Sequence, residues 1–336
     1  MEDLDRIPVH IISGFLGSGK TTFLNQFIQS QPTKRIIVIE NEVGKVNIDG
    51  ALVVEGVEEV MELTAGCLCC DLNGKLYELL VNLIHRRHDF DLLLIETTGI
   101  ADPSAVVETF WMNGFIESNY EVKSTICLAD AQYMRQSIEQ TDEARRQIAF
   151  ADVVLLNKCD LVEPAEADDL QRFIEDINPT TVVHQGSEGL FPYRKISAVS
   201  TLDKDRVEYK NRQLSDGYTH KHKGINTFTL SFDTPFDFAE LRFRLMVILQ
   251  ANKQQIYRIK GILDVVGIEE RVILQSVYQT YRIEEGSAWH VGEMRESKIV
   301  FIGNGVEKAS IERILNQCLD HKAGALREVE AFEMAM

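Results

Sequence analysis

The sequence predicts an α/β protein: a mostly parallel β-sheet with helices on both faces, followed by a smaller α+β domain at the C-terminus. The N-terminal half alternates short, apolar, β-branched runs with longer amphipathic stretches. A glycine-rich motif separates the first of these runs from the first amphipathic stretch. After about Pro192 the composition becomes polar and mixed in charge, and shorter strand-like runs follow. A chain of 336 residues is long enough for two such domains.

The strands of the first domain are predicted from runs that are almost continuously apolar, as strands covered on both faces must be. We predict buried strands at Val9–Ser13, Arg35–Glu40, Asp91–Glu96, Ser124–Asp130 and Asp152–Asn157. Amphipathic stretches between them predict helices, among them Thr21–Gln29, Gly74–Arg87 and Ala165–Ile177. Strands that alternate with helices indicate a mostly parallel sheet.

The polar stretch 193–224 is predicted to be a linker between a first domain, 1–192, and a C-terminal domain, 225–336. In the C-terminal domain we predict strands in the runs that begin at Ile225, Tyr257, Arg271 and Ser297. Helical patterns at Phe238–Gln250 and Lys308–Gln317 lie among them. This order indicates an α+β domain.

Charge and composition narrow the class of protein. A net charge of −17 argues against general nucleic-acid binding and against docking on anionic lipid. The acidic start is unlike a secretory signal, and no apolar segment approaches the roughly 18 residues of a membrane span. We therefore expect a cytoplasmic protein with no nucleic-acid or membrane partner. In a reducing compartment, clustered cysteines more often bind metal or catalyse than form disulfides.

A phosphate-binding motif follows the first predicted strand. The stretch "GFLGSGKTT", Gly14–Thr22, fits G-x-x-x-x-G-K-[ST] and directly precedes a predicted helix. Such a loop turns its backbone N–H groups toward phosphates, its Lys reaches the β- and γ-phosphates, and its Thr hydroxyl ligates Mg²⁺. We therefore predict nucleotide contacts, with Thr21 also as the Mg²⁺ ligand, from Gly17, Ser18, Gly19, Lys20, Thr21 and Thr22.

The base is predicted from "LLNKCD", in which Asn157, Lys158 and Asp160 form an N-K-x-D pattern at a strand end. A carboxylate at Asp160 can accept the two hydrogen bonds that guanine offers from its N1–H and 2-amino groups. Asn157 can bond the base edge, and the stem of Lys158 can cover the ring. Because adenine offers no such donor pair, the pattern favours GTP and GDP.

The third segment of the predicted site is "LLLIETTG", where a strand ends in Glu96 and Gly99 follows. Glu96 could act through a water on the metal, orient the attacking water, or only cap the next helix. We predict Lys20 and Glu96 as catalytic residues. The backbone amide of Gly99 is a candidate for contact with the γ-phosphate.

Three cysteines, Cys67, Cys69 and Cys70, follow an acidic segment that occupies the place of a nucleotide-dependent switch loop. Thiolates suit Zn²⁺ and similar divalent ions. Three thiolates leave a tetrahedral ion one ligand short, and Glu42, a His or a water could complete the shell. A redox pair formed by Cys67 and Cys70 is the weaker alternative, and inert packing is the weakest.

The order "GFLGSGKTT", "NEVG…IDG", "GCLCC", "IETTGIADP" and "LLNKCD" resembles the CobW family of P-loop GTPases. The resemblance is close over roughly Ile7 to Asp160 and looser in the C-terminal half. It implies GTP hydrolysis coupled to binding a divalent transition metal, Zn²⁺ or Co²⁺, and to its transfer to a client metalloprotein. It places the metal ligands at Glu42, Cys67, Cys69 and Cys70.

The sequence leaves two alternative functions open. The chain could be a regulatory P-loop GTPase whose cysteines only pack, or a P-loop kinase that acts on a small molecule. Asp160 argues against the kinase, and the cysteine cluster argues against the plain switch. A homodimer is possible.

Overall fold

The computed structural model describes residues 6–40, 57–62, 72–99, 101–199, 219–222, 224–290 and 292–322. The chain forms two compact units. Met1–Glu175 and Thr181–Thr201 belong to the first unit, and Asp176–Thr180 and Leu202–Met336 belong to the second.

The first unit is built on a seven-stranded parallel sheet with the order β3-β2-β4-β1-β5-β6-β7. Its strands are β1 (Ile7–Gly14), β2 (Ile36–Glu40), β3 (Val57–Glu62), β4 (Leu92–Glu96), β5 (Tyr120–Asp130), β6 (Val153–Asn157) and β7 (Val182–Gln185). The five strands predicted from the sequence are β1, β2, β4, β5 and β6, and all five are confirmed. The structure adds the two edge strands.

Helices alternate with these strands, as predicted. They are α1 (Lys20–Gln29), α2 (Leu72–Ile84), α3 (Pro103–Trp111), α4 (Gly114–Asn119), α5 (Met134–Gln140), α6 (Asp142–Phe150), α7 (Pro164–Ile177) and α8 (Tyr193–Ser197). Phe23 and Phe27 of α1 pack on the sheet face that includes Ile12. Ile11, whose side chain points to the opposite face, is also fully buried. Both faces of the sheet are therefore covered.

Parallel pairing brings several chain segments to one edge of the sheet. Ile12 of β1 pairs with Glu96 of β4, and Asp130 of β5 pairs with Asn157 of β6. Because the strands are parallel, the loops that follow their carboxyl ends all leave from this edge. In open α/β sheets, ligands bind at this edge of the sheet.

The second unit is a six-stranded antiparallel sheet with the order β12-β11-β10-β13-β9-β8. Its strands and helices are β8 (Thr219–His222), β9 (Ile225–Phe232), α9 (Phe238–Ala251), β10 (Ile256–Leu263), β11 (Glu270–Val277), β12 (Thr280–Ala288), β13 (Ser297–Gly303) and α10 (Lys308–Asn316). Its core has Phe228 stacked on Phe301, with ring centroids 5.2 Å apart. The predicted α+β character is confirmed.

Two details differ from the sequence prediction. The run that begins at Arg271 is a hairpin of two strands, and Tyr278 adopts a left-handed conformation, φ 45°, in its two-residue turn. The predicted linker 193–224 contains helix α8 at its start and strand β8 at its end. Neither element was predicted from the sequence, because both are short and polar and β8 lies at the edge of its sheet.

Within the described ranges, none of the helices combines the length and the apolar character needed to cross a membrane.

Candidate functional site

The predicted phosphate loop connects β1 to α1 and depends on glycine. Gly14, Gly17 and Gly19 have φ of 139°, 77° and 98°, which side-chain-bearing residues rarely adopt. A Cβ on Gly14 would lie 2.3 Å from the carbonyl oxygen of Leu128. The Lys20 ammonium donates to the Gly14 and Phe15 carbonyl oxygens, at 2.9 and 3.3 Å. The loop is therefore closed over its own lysine.

Lys20 is buried beside an acid. Burial lowers the pKa of the Lys20 ammonium, and the charge of Glu96 acts in the opposite direction. Glu96 ends β4 and is partly exposed at the carboxyl edge of the sheet. A cation that burial penalises gains most from a nearby anion. The two predicted catalytic side chains therefore belong to one electrostatic site.

Asn157 and Lys158 attach the N-K-C-D segment, the predicted base-reading motif, to the phosphate loop. Asn157 Nδ2 donates to the Ser18 carbonyl oxygen at 3.0 Å, and Lys158 Nζ donates to the Gly17 carbonyl oxygen at 2.8 Å. Lys158 also pairs with Asp130 at 2.6 Å, and its own backbone is left-handed, φ 61°. These contacts join the two motifs, and the base contacts expected of both residues stay predictions.

Asp160 lies in a 3-10 turn, Cys159–Leu161, and its side chain is exposed. Its backbone N–H donates to Ser187 Oγ at 3.2 Å. The carboxylate therefore stands at the surface next to the loop that follows β7.

That loop, Gly186–Leu190, contacts the candidate site and was not predicted from the sequence. Gly189 N donates to Asn157 Oδ1 at 3.3 Å, and Cys159 N donates to the Gly186 carbonyl oxygen at 3.1 Å. Glu188 and Gly189 both have positive φ, 53° and 76°. A signal was available in the sequence, since Gly-Ser-Glu-Gly after an apolar run is typical of a tight turn at a strand end.

Gly99 lies against the tip of the phosphate loop. A Cβ on Gly99 would be 2.8 Å from the backbone nitrogen of Leu16. Gln147 Nε2 on α6 donates to the carbonyl oxygens of Gly99 and Ala101, both at 3.1 Å. The segment after β4 is therefore close to the phosphate loop, and the predicted contact of the Gly99 amide with the γ-phosphate stays a prediction.

The remaining residues of the loop offer oxygen atoms. Thr21 and Thr22 are exposed in the first turn of α1. Ser18 Oγ is buried and has no hydrogen-bond partner within the part of the chain that the structure describes. Hydroxyl and carboxylate oxygens are the ligands that Mg²⁺ prefers, so Thr21 and the nearby Glu96 fit that ion.

The predicted transition-metal ligands Glu42, Cys67, Cys69 and Cys70 lie outside the described residues. Among the residues that are described, no group of three or more His, Cys, Asp or Glu side chains is arranged to hold a metal ion. Cys127 and Cys318 are buried and Cys159 is partly exposed, and all three are free thiols.

Both halves of the chain match known protein families. Residues 8–185 match the family "CobW/HypB/UreG, nucleotide-binding domain", and residues 225–319 match "Cobalamin synthesis protein cobW C-terminal domain". The zinc chaperone YjiA of Escherichia coli is 31% identical over 304 residues, which cover 89% of this chain and 95% of the relative. The zinc chaperone CobW of Pseudomonas aeruginosa is 28% identical and covers 95% of this chain and 93% of the relative.

A solved structure agrees with these matches. The crystal structure of Zn(II)-bound YjiA GTPase from E. coli superimposes with a TM-score of 0.69 and 26% identity, covering 94% of this chain and 100% of that one. The first of the two matched regions alone covers more than half of the chain, and the second covers most of the C-terminal unit. The chain therefore belongs to the CobW family of P-loop GTPases.

Proposed function

We propose that this chain hydrolyses GTP and uses its nucleotide state to bind a divalent transition metal, Zn²⁺ or Co²⁺, and pass it to a client metalloprotein. The observation that carries the nucleotide half of the proposal is the junction of the two motifs. Asn157 and Lys158 donate hydrogen bonds to the Ser18 and Gly17 carbonyl oxygens. These bonds support the proposal that the phosphates and the guanine base bind at one continuous site. The names of the zinc chaperones among its relatives support the metal half.

In this proposal the loop binds the phosphates and Asp160 reads the base. Backbone N–H groups from Gly17 to Thr22 surround the phosphates, where the helix N-terminus of α1 adds favourable electrostatics. Asp160 is exposed and accepts from the guanine N1–H and 2-amino groups. Asn157 and Lys158 keep Asp160 at a fixed distance from the loop through their bonds to Ser18 and Gly17.

Hydrolysis rests on charge stabilisation and on positioning of water. The buried Lys20 ammonium neutralises charge that develops on the β- and γ-phosphates. Glu96, at the carboxyl end of β4, orients the attacking water, and the Gly99 amide contacts the γ-phosphate. Thr21 would hold a Mg²⁺ ion, which would supply further neutralisation of charge on the phosphate oxygens.

The metal cargo is bound by Glu42, Cys67, Cys69 and Cys70 in this proposal. Chain connectivity supports their closeness to the nucleotide: Glu42 follows β2 by two residues, and the cysteines follow β3. Glu40 at the end of β2 pairs with Glu96 on one side and Glu62 on the other. Both segments therefore leave the sheet at the edge where the γ-phosphate would lie, and metal affinity and nucleotide state should be reciprocally coupled.

A metal titration tests this coupling. Zn²⁺ affinity is measured on the Mg²⁺-loaded protein with a non-hydrolysable GTP analogue and, separately, with GDP. A ratio of about 5- to 150-fold between the two is expected for a typical coupling free energy. Equal Zn²⁺ affinity in the two nucleotide states would sink the proposed coupling.

Cysteine variants test where the transition metal binds. Cys69→Ser should weaken Zn²⁺ binding and leave GDP affinity near that of the wild type, because Cys69 serves only the metal. Cys318→Ser is the matched control, since Cys318 is buried in the second unit. Equal Zn²⁺ affinity in wild type and Cys69→Ser would place the metal elsewhere.

The domain boundaries and the cellular location are also proposed. We propose a GTPase domain 1–192, a linker 193–224 and a C-terminal domain 225–336, and limited proteolysis of the full chain would test these boundaries. The cytoplasmic location is likewise proposed, and fractionation of cells would test it.

A further inference from the structure

A ring of hydrogen bonds connects the phosphate loop, the N-K-C-D segment, the loop after β7 and helix α8. Asn157 donates to the Ser18 carbonyl oxygen and accepts from Gly189 N. The Gly189 carbonyl oxygen accepts from the hydroxyl of Tyr193, which also lies 2.5 Å from Gln26 Oε1. Gln26 belongs to α1, the helix that begins at Lys20, so the ring returns to the phosphate loop.

We infer that Tyr193 and Gln26 are positioning residues that hold the loop after β7 at the guanine end of the nucleotide site. This inference rests on the proposed function and extends it to two residues outside the nucleotide-binding motifs. Gln26 Nε2 donates to the Glu188 carbonyl oxygen at 3.0 Å, while Tyr193 binds the next carbonyl, that of Gly189. Two consecutive peptide groups of the loop are thus fixed from α1 and α8.

The loop needs such support because its backbone is strained. Glu188 has φ 53°, a conformation that costs free energy for a residue with a side chain. Gly189 has φ 76°, and a Cβ there would lie 3.0 Å from Thr22 Cγ2 on α1. The loop is thus held close to α1, and it persists in this conformation because the surrounding contacts determine it.

The same loop supports the residue that reads the base. Ser187 Oγ accepts from Asp160 N at 3.2 Å, so a displaced loop would also displace the Asp160 backbone. Tyr193 and Gln26 are half-buried, and burial raises the pKa of the Tyr193 hydroxyl. The hydroxyl therefore stays protonated at neutral pH. Its single hydrogen is shared between the Gly189 carbonyl oxygen and Gln26 Oε1.

The test is nucleotide binding by the full-length Tyr193→Phe variant. One lost hydrogen bond is expected to weaken GDP binding by about 3- to 10-fold. Binding of inorganic tripolyphosphate, which contacts only the phosphate end, should be unchanged. In steady-state hydrolysis, KM for GTP should rise while kcat stays at the wild-type value. A residue that only stabilises the fold would not produce this separation.

Two further variants sharpen the experiment. Tyr120→Phe is the matched control, because its hydroxyl donates to the Leu80 carbonyl oxygen in the same unit at the opposite end of β5. It should lower the melting temperature without changing GDP affinity. Gln26→Met combined with Tyr193→Phe should weaken GDP binding by less than the product of the two single effects, as members of one network do.

The inference is overturned if folded Tyr193→Phe binds GDP as tightly as the wild type does. That result differs from failure of the proposed function itself. If the wild-type protein bound GDP no better than ADP, the guanine site would be wrong and the positioning role would fall with it.

Discussion

Asp160 shows how much of the proposed specificity depends on one side chain. Its carboxylate is exposed, whereas Asn157 and Lys158 donate the hydrogen bonds that join the two motifs. The contacts that join the two motifs and the proposed choice of base therefore involve different residues. A substitution at Asp160 should change which base is bound without disturbing the phosphate end.

Asp160→Asn is expected to weaken GDP binding by roughly 10- to 100-fold, the value of a lost charge-assisted hydrogen bond. The amide of Asn can donate to the 2-oxo group of xanthine, so affinity for xanthosine diphosphate should rise. Competition between the two nucleotides on wild type and variant measures both changes. An unchanged preference for guanine over xanthine would show that Asp160 does not read the base.

Individual site residues followed from motif chemistry, whereas their partners did not. The motif alone placed Lys20 in the loop, and the structure shows its ammonium bonded to the Gly14 and Phe15 carbonyl oxygens. The contact between Tyr193 and Gln26 joins residues 167 positions apart, and no local pattern signals it. Long-range side-chain contacts depend on the packing of several elements, which a motif does not contain.

Among the elements, β1 is packed against α1 and β5 through a buried histidine. His10 Nδ1 lies 2.8 Å from Ser124 Oγ, and the ring meets Phe27 edge-on at 5.7 Å between centroids. Burial lowers the pKa of His10 from 6.5 to about 3, with smaller contributions from Lys34 and Lys123. The imidazole is therefore neutral in the folded sheet at any pH above that value.

This histidine predicts acid sensitivity with a defined sign. Between pH 6.5 and about pH 3 the unfolded chain binds a proton at His10 that the folded chain does not. The free energy of unfolding should fall as pH is lowered through this window, by about 1.4 kcal/mol per pH unit. Urea unfolding at a series of pH values on wild type and His10→Asn isolates the effect. Parallel curves for the two proteins would contradict it.

The central strands could be predicted because both of their faces are buried, which produces continuous apolar runs. The edge strands could not be predicted, because each has a neighbouring strand on one side only and its sequence mixes polar with apolar residues. β3 has the sequence VEEVME, whose acids hide its strand character, and β7 has only four residues. The loop after β7 was missed with its strand, and with it the support for Asp160.

At the scale of the whole molecule, the first unit, which contains the proposed nucleotide site, and the second unit have separate hydrophobic cores. The site residues that the structure describes, from Gly14 to Asp160, all belong to the first unit. The core of the second unit is a different cluster, with Phe301 fully buried against Phe228. Damage to one core should therefore leave the chemistry of the other unit intact.

Phe301→Ala is expected to destabilise the second unit by about 3–5 kcal/mol, since it removes a large buried ring. GDP affinity should stay at the wild-type value, because no residue of the proposed nucleotide site is changed. Calorimetry with and without GDP measures both quantities on the full chain. Loss of GDP binding in a variant whose first unit remains folded would show that the two units depend on each other.

The close approach of Gly19 to Asn157 has a consequence for redesign. A Cβ on Gly19 would lie only 2.5 Å from Asn157 Nδ2, so the phosphate loop and the N-K-C-D segment have complementary shapes. Transplanting either segment alone into another scaffold would leave Asn157 without its acceptor or would place a foreign side chain against Gly19. A graft of this proposed nucleotide site should therefore include both α1, with the loop before it, and the end of β6.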